Sequence, residues 1–344
     1  MHEKVSLWRR LLRWSLRAIV VVFGLILLAG TAGAIWQALS AHRDERDYPP
    51  PGELVDIGGR NLHLVCLGEG SPGVVIDAGA QDWSTGWLRP QTAIAEFTRV
   101  CTYDRAGLGW SDASSDPKDG LHMVADLHAL LESAQIERPV VLVGHSLGGM
   151  LNRIYYEEYP EEVAGMILAE PGDPELVQEM FPDSPGEVAF GGWVDTAGSL
   201  AARVGLTRWL FRDLFEDKDY PEREILETRA RMVLPSAAAA LASTIRHLPV
   251  TSEQTKQNND LGDIPLVVVR STNFDEVGTS FEDEEERQQF RRDSIDGWAR
   301  LTSLSTRGRS PIIVEGANHI TLVRSDTHWP ALVAAIEQVV NEAR

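Results

Sequence analysis

Gly144-His145-Ser146-Leu147-Gly148 spells G-x-S-x-G, a spacing that can turn a serine hydroxyl into a nucleophile for acyl carbon. The chemistry needs a sharp turn that lifts the Ser146 side chain clear of the backbone. Glycines at 144 and 148 permit that turn and let a strand and a helix approach closely. At the first turn of such a helix the Leu147 N–H is free to stabilise an oxyanion. A match alone is weak, because a Gly-rich turn with a capping serine reads the same way. Here the motif follows the apolar run Val140–Val143 and opens a helical pattern from Met150, which is the context the chemistry requires. No His/Cys/Asp/Glu set has metal-ligand spacing and no G-x-G-x-x-G follows a strand, so no cofactor is expected. The run Glu282-Asp283-Glu284-Glu285-Glu286 could hold an amine, but such a run reads first as a solvated helix face.

The elements that must carry Ser146 can be read on either side of it. Leu54–Ile57 and Leu62–Cys66 flank Gly58-Gly59 and form a hairpin. Val74–Ile76, Arg99–Tyr103, Pro139–Val143, Val163–Ala169, Ile264–Arg270 and Ser310–Val314 are short apolar runs of the buried-strand kind. Met123–Leu131, Met150–Tyr159 and Trp329–Val340 have helical spacing. Apolar runs alternating with helices predict a mostly parallel sheet covered on both faces. About 90 residues, 171–260, interrupt the alternation with Trp209-Leu210-Phe211 and the Ala-rich stretch 237–242. A connection that long is no ordinary loop. It predicts a helical lid over the C-terminal edge of the sheet.

In this α/β context the sequence resembles the α/β-hydrolase superfamily over nearly all of 52–344, with 171–260 its least specific part. The resemblance rests on Val75-Ile76-Asp77-Ala78-Gly79, Tyr103-Asp104-Arg105-Ala106-Gly107-Leu108-Gly109-Trp110-Ser111, Gly144–Gly149 and Val314-Glu315-Gly316-Ala317-Asn318-His319. It looks most like the bacterial group with a short membrane-anchoring N-terminal helix. It implies an eight-stranded, mostly parallel sheet flanked by helices, with the lid inserted after the sixth strand. Many relatives carry His-Gly after the third strand where this chain has Ala78-Gly79, a change that backbone donors tolerate.

The resemblance also assigns roles. His319, among nine histidines, holds the position of the general base. The Ala80 N–H becomes the second oxyanion donor beside Leu147, and Asp104-Arg105 pins the loop around the site. The triad acid is either Glu170, ending the sixth strand, or Asp275, after the seventh. It should be the carboxylate within about 3.2 Å of His319 Nδ1. Relatives that open epoxides or remove halide carry Asp where Ser146 stands, so those reactions are not expected. Cys66 and Cys101 fall on strands that are adjacent and antiparallel in the resembled fold. That implies a disulfide, and an oxidising compartment would favour it.

The first forty residues place the chain at a membrane. Ala18–Ser40 holds 23 consecutive uncharged residues, about 34 Å of helix against a hydrocarbon core of about 30 Å. Arg9, Arg10, Arg13 and Arg17 precede it, so residues 1–17 stay cytoplasmic and the body crosses. The competing reading is a signal peptide cut at Ala32-Gly33-Ala34, which would make the protein secreted. The apolar stretch is longer than a signal usually has, which favours a retained anchor. Residues 41–51, with Pro49-Pro50-Pro51, read as a linker and 52–344 as the catalytic domain.

The net charge of −19 is carried by the body, since residues 1–43 hold six Lys/Arg against one Glu. A body that acidic repels phosphate backbones and excludes nucleic-acid binding. Three functions remain. The first is a serine esterase forming an acyl-enzyme on a small, apolar substrate. The second is an aminopeptidase or amidase of the same fold, and the third a binding protein that keeps the fold without the chemistry.

Overall fold

A computed structural model describes residues 2–175, 177, 191–212, 221–257, 260–272 and 284–344. Eight strands form one sheet: β1 (Glu53–Asp56), β2 (Asn61–Leu67), β3 (Val74–Asp77), β4 (Val100–Tyr103), β5 (Val140–His145), β6 (Val163–Ala169), β7 (Leu266–Ser271) and β8 (Ile312–Val314). Their order across the sheet is β1-β2-β4-β3-β5-β6-β7-β8. Only β2 runs against its neighbours; the pairs from β4 through β8 are parallel.

The helices are α1 (His2–Asp47), α2 (Leu88–Ile94), α3 (Gly120–Ser133), α4 (Leu147–Glu158), α5 (Gly191–Arg203), α6 (Leu206–Leu210), α7 (Glu222–Met232), α8 (Pro235–Gln257), α9 (Glu284–Thr302), α10 (Thr321–Arg324) and α11 (Trp329–Ala343). The two-residue period of the strands sorts their side chains. Val140 and Leu142 join Met166, Leu168 and Val268 under α3 and α4, while Val141 and Val143 join Ile167, Val267 and Val269 under α11. Every residue of β5 is buried, so the strand that delivers Ser146 is clamped from both faces.

Helices α5 to α8 occupy the connection between β6 and β7, where the lid was expected. Helix α1 differs from the expectation at its end. It continues past Ser40 to Asp47, so residues 41–47 are helix and the extended linker shrinks to 48–51. No Gly or Pro interrupts 41–47, and the first stop is Pro49. The stretch Leu11–Asp47 is long and apolar enough to cross a membrane.

Cys66 lies directly opposite Cys101 in the β2–β4 ladder, with Cα atoms 4.1 Å apart, and the two are disulfide-bonded. The bond closes a loop of 35 residues. Reducing it and alkylating both thiols should lower stability by about 2–5 kcal/mol, read as a lower urea midpoint. An unchanged midpoint would show that the link carries no stability.

Candidate active site

Ser146 sits between β5 and α4 with φ 54° and ψ −118°. That backbone is costly for a residue with a Cβ, and surrounding packing must hold it. The packing is visible at the flanking glycines. A Cβ on Gly144 would collide with the Gly148 backbone, and one on Gly148 with the Asp77 carbonyl. Helix α4 therefore starts against β3 and β5 with no room for side chains. The Ser146 N–H donates to Ala169 C=O at 3.2 Å, and the Ser146 carbonyl accepts from Gly149 and Gly172.

The His319 loop leaves β8 through Gly316, at φ 76°, and is closed by Asn318. The Asn318 Oδ1 accepts the N–H groups of Ile320 and Thr321 at 3.0 and 2.7 Å, while Thr321 Oγ1 accepts the Asn318 N–H at 2.9 Å. Ser146 and His319 line one cavity of about 480 Å³. Among the described residues no hydrogen bond joins them in this state.

Glu170 ends β6 at φ 45°, and its Oε2 lies 3.7 Å from His319 Nδ1. That is an ion-pair distance, half an ångström beyond the hydrogen bond expected of a triad acid. Glu170 therefore does not meet the distance of about 3.2 Å expected of the triad acid. Asp275 lies outside the described residues. Burial would raise the Glu170 pKa, but His319, the Arg270 guanidinium 3.5 Å away and the Ser271 N–H outweigh it and hold it down at about 2.

Gly79 and Ala80 line the same cavity. The loop that carries them is clamped by Arg105, which is 6% exposed. Its guanidinium donates to Asp77 Oδ1 at 2.5 Å, to Ala78 C=O at 2.7 Å and to Gly79 C=O. Burial pushes the Asp77 carboxyl up, and the Arg105 charge opposes that push. Asp104 works separately, accepting from His63 Nδ1, the Ser84 N–H and the Trp110 N–H at 2.8–3.0 Å. Both residues thus pin loops, as the sequence suggested.

His145 is a contribution that motif reasoning left unread. Its Nε2–H donates to the His319 carbonyl at 3.0 Å, across 174 residues. Burial and the neighbouring His319 ring push its pKa down to about 3, so it stays neutral and ties the Ser146 turn to the His319 loop. No local spacing could have announced a pairing at that separation.

From the lid, α7 and α8 supply Ile225, Thr228, Met232, Leu241 and Ile245 to the cavity. The carboxylates on its wall are engaged: Asp82 pairs with Arg324 at 2.5 Å and Glu224 with Arg89 at 3.6 Å. Of the run 282–286, residues 282 and 283 lie outside the described residues, and Glu284 and Glu285 are exposed on α9. Among the described residues no cluster of His, Cys, Asp and Glu could hold a metal.

Residues 64–336 match the family described as the alpha/beta hydrolase family. The chain belongs to it. A curated relative, an AB hydrolase superfamily protein of Gibberella zeae, is 28% identical over 215 residues, which are 58% of this chain and 62% of that protein. The chain thus spans less than two thirds of the curated relatives it matches first. An epoxide hydrolase structure superposes with TM-score 0.63 at 18% identity, covering 85% of this chain and 98% of the other. A thermophilic esterase from Thermogutta terrifontis gives 0.55 at 17%, covering 84% and 97%. At such identities the structures speak for the fold alone.

The low Glu170 pKa predicts an acid-labile fold. A folded-state pKa of about 2 against an ordinary 4.5 adds about 3 kcal/mol above pH 4.5, lost as pH falls from 4.5 towards 2. Urea unfolding should show Glu170→Gln weaker than the parent at pH 7 and the gap closing near pH 2–3. A gap independent of pH would mean that the carboxylate charge is not what stabilises.

Proposed function

We propose that this α/β hydrolase is a serine hydrolase that cleaves carboxylic esters through an acyl-enzyme. The observation that carries the reading is the strained Ser146 backbone at the wall of a cavity that it shares with His319. His319 takes the proton from Ser146 Oγ as the oxygen attacks the ester carbonyl, and returns it to the leaving alkoxide. Glu170 orients the imidazole and balances its charge. Its approach to Nδ1 supports that assignment, with a substrate drawing the pair together. The N–H groups of Ala80 and Leu147 receive the developing oxyanion, each such donor being worth about 2.7–4 kcal/mol. Water then attacks the acyl-enzyme with His319 as base.

A serine at this position separates the protein from the aspartate chemistry expected of epoxide-opening relatives, despite the shared fold. Ester is favoured over a peptide amine terminus because Asp82 and Glu224, the cavity carboxylates, already pair with arginines. The apolar lid wall favours acyl or aromatic substrates over charged ones. The arginines in the first part of α1, ahead of its apolar stretch, and the Cys66–Cys101 bond both support a body held outside the cytoplasm on a membrane anchor.

Full-length protein in detergent should hydrolyse nitrophenyl acyl esters and react with a fluorophosphonate probe. Ser146→Ala should abolish labelling and lower kcat by about 10⁴-fold or more, with its far-UV spectrum unchanged. Equal turnover by both proteins would leave a binding protein on a hydrolase fold.

A further inference from the structure

Helix α1 does not leave the body as a free stalk. Gly33, Gln37 and Asp44, which share one helix face by their spacing, turn towards the lid. A Cβ on Gly33 would collide with the Val204 carbonyl, and Gly205, at φ 74°, leaves no room for a Cβ beside the Trp36 ring. Gln37 is 4% exposed although it lies inside the apolar stretch. Its Nε2–H donates to Val233 C=O at 3.3 Å, and its Oε1 accepts from Arg208 Nε at 2.8 Å. Arg208 also pairs with Asp44 at 2.7 Å. These contacts fix α6 alongside the anchor between the levels of Gly33 and Asp44.

While Arg208 engages the anchor, Leu206, Trp209 and Leu210 recur at three and four along α6 and project elsewhere. They are 44%, 53% and 55% exposed, and Phe211 follows at 38%. Large apolar side chains left in water forgo a favourable transfer out of it, and four so close together form a patch suited to an apolar cover. The anchor says what the cover is. A hydrocarbon core of about 30 Å beginning at Ala18 takes about 20 residues of helix and ends near Gln37. Gly33 and Trp36, against which Val204 and Gly205 pack, then lie in its outermost turn. Leu206 follows directly on Gly205 at that level, and Trp209 to Phe211 continue from it. Arg212 lies over the Trp209 ring, 5.4 Å from its centroid, a pairing of aromatic and cation suited to the headgroup zone.

We propose that the lid tip, Leu206, Trp209, Leu210 and Phe211, is a second membrane contact that dips into the leaflet where α1 emerges. Lipid is its partner. The inference rests on α1 spanning the membrane and is independent of the reaction at Ser146. It gives the lid a fixed seat on the bilayer rather than a free surface in water.

The test uses the full chain in phosphatidylcholine–phosphatidylglycerol vesicles. Both native cysteines are in the disulfide, so one introduced cysteine is a unique site for a nitroxide. Labels at Leu210→Cys, at Leu27→Cys in the middle of the anchor and at Glu132→Cys on the exposed surface of α3 are compared by power-saturation EPR. The readout is collision with oxygen against collision with a water-soluble nickel chelate. The expected oxygen-to-nickel ratio at 210 approaches that at 27 and exceeds that at 132 several-fold. A ratio at 210 equal to that at 132, with 27 embedded, overturns the lid contact and leaves the anchor standing. Low access to both reagents at 210 also overturns it, because protein then covers the patch. Nickel access at 27 removes the anchor and this inference together, while turnover of nitrophenyl esters by the same samples reports on the active site separately.

Discussion

The close approach of α4 to the sheet governs this molecule. The helix begins so near β3 and β5 that neither Gly144 nor Gly148 can carry a Cβ, and the chain must turn through a left-handed Ser146 to make the approach. The cost of that turn is met by burial: β5 lies at the middle of the sheet with apolar layers on both faces. A loosened core would let the serine relax into an ordinary conformation and drop its hydroxyl from the cavity. Stability and reactivity are therefore stored in the same contacts. Glu170, another residue with a side chain at positive φ, ends the next strand and depends on the same packing.

Around this turn the remaining groups are held by ties of large sequence separation. Arg105 fastens the Gly79–Ala80 loop from 26 residues away, and His145 fastens the His319 loop across 174. Each tie uses a buried side chain, 6% exposed at Arg105 and 4% at His145. Such groups remove freedom from Ser146 and His319, which on the proposed chemistry leaves little reorganisation when charge develops.

Local physics made much of this legible. Short apolar runs marked all eight strands and three-and-four spacing marked α3, α4 and α11, though not α2, and the glycines of 144–148 announced the turn. The pairing of Cys66 with Cys101 followed from the resembled fold and reappears as register partners in the ladder. What stayed dark was whatever depends on two distant segments meeting. The sequence offered both Glu170 and Asp275; the order β6-β7-β8 places Glu170 3.7 Å from His319, and Asp275 lies outside the described residues. The helix end at Asp47 was missed because a proline-rich stretch advertises a stop more loudly than the six charged and polar residues His42–Asp47 advertise continuation. The Gln37–Arg208 contact spans 171 residues, and a lone glutamine in an apolar helix carries no address.

That last contact changes how the lid should be understood. Helix α7 lines the cavity with Ile225, Thr228 and Met232, and its C-terminal end is bonded to the anchor segment twice. Val233 C=O receives Gln37, and Arg231 donates to Tyr48 C=O at 2.7 Å. The Trp110 indole, which stands under the Arg231 guanidinium, donates to the same Tyr48 carbonyl at 3.0 Å. The segment from Gln37 to Tyr48 is thus a structural part of the lid. A truncation at residue 50 would strip hydrogen-bond partners from Arg231, Trp110, Arg208 and Val233 at once. Each is a polar group that folding has withdrawn wholly or partly from water, and leaving one unpaired costs about 1–3 kcal/mol. The cavity shape of such a fragment would differ from that of the whole chain even where Ser146 and His319 are untouched, because the helix that loses these bonds lines the cavity with Ile225, Thr228 and Met232.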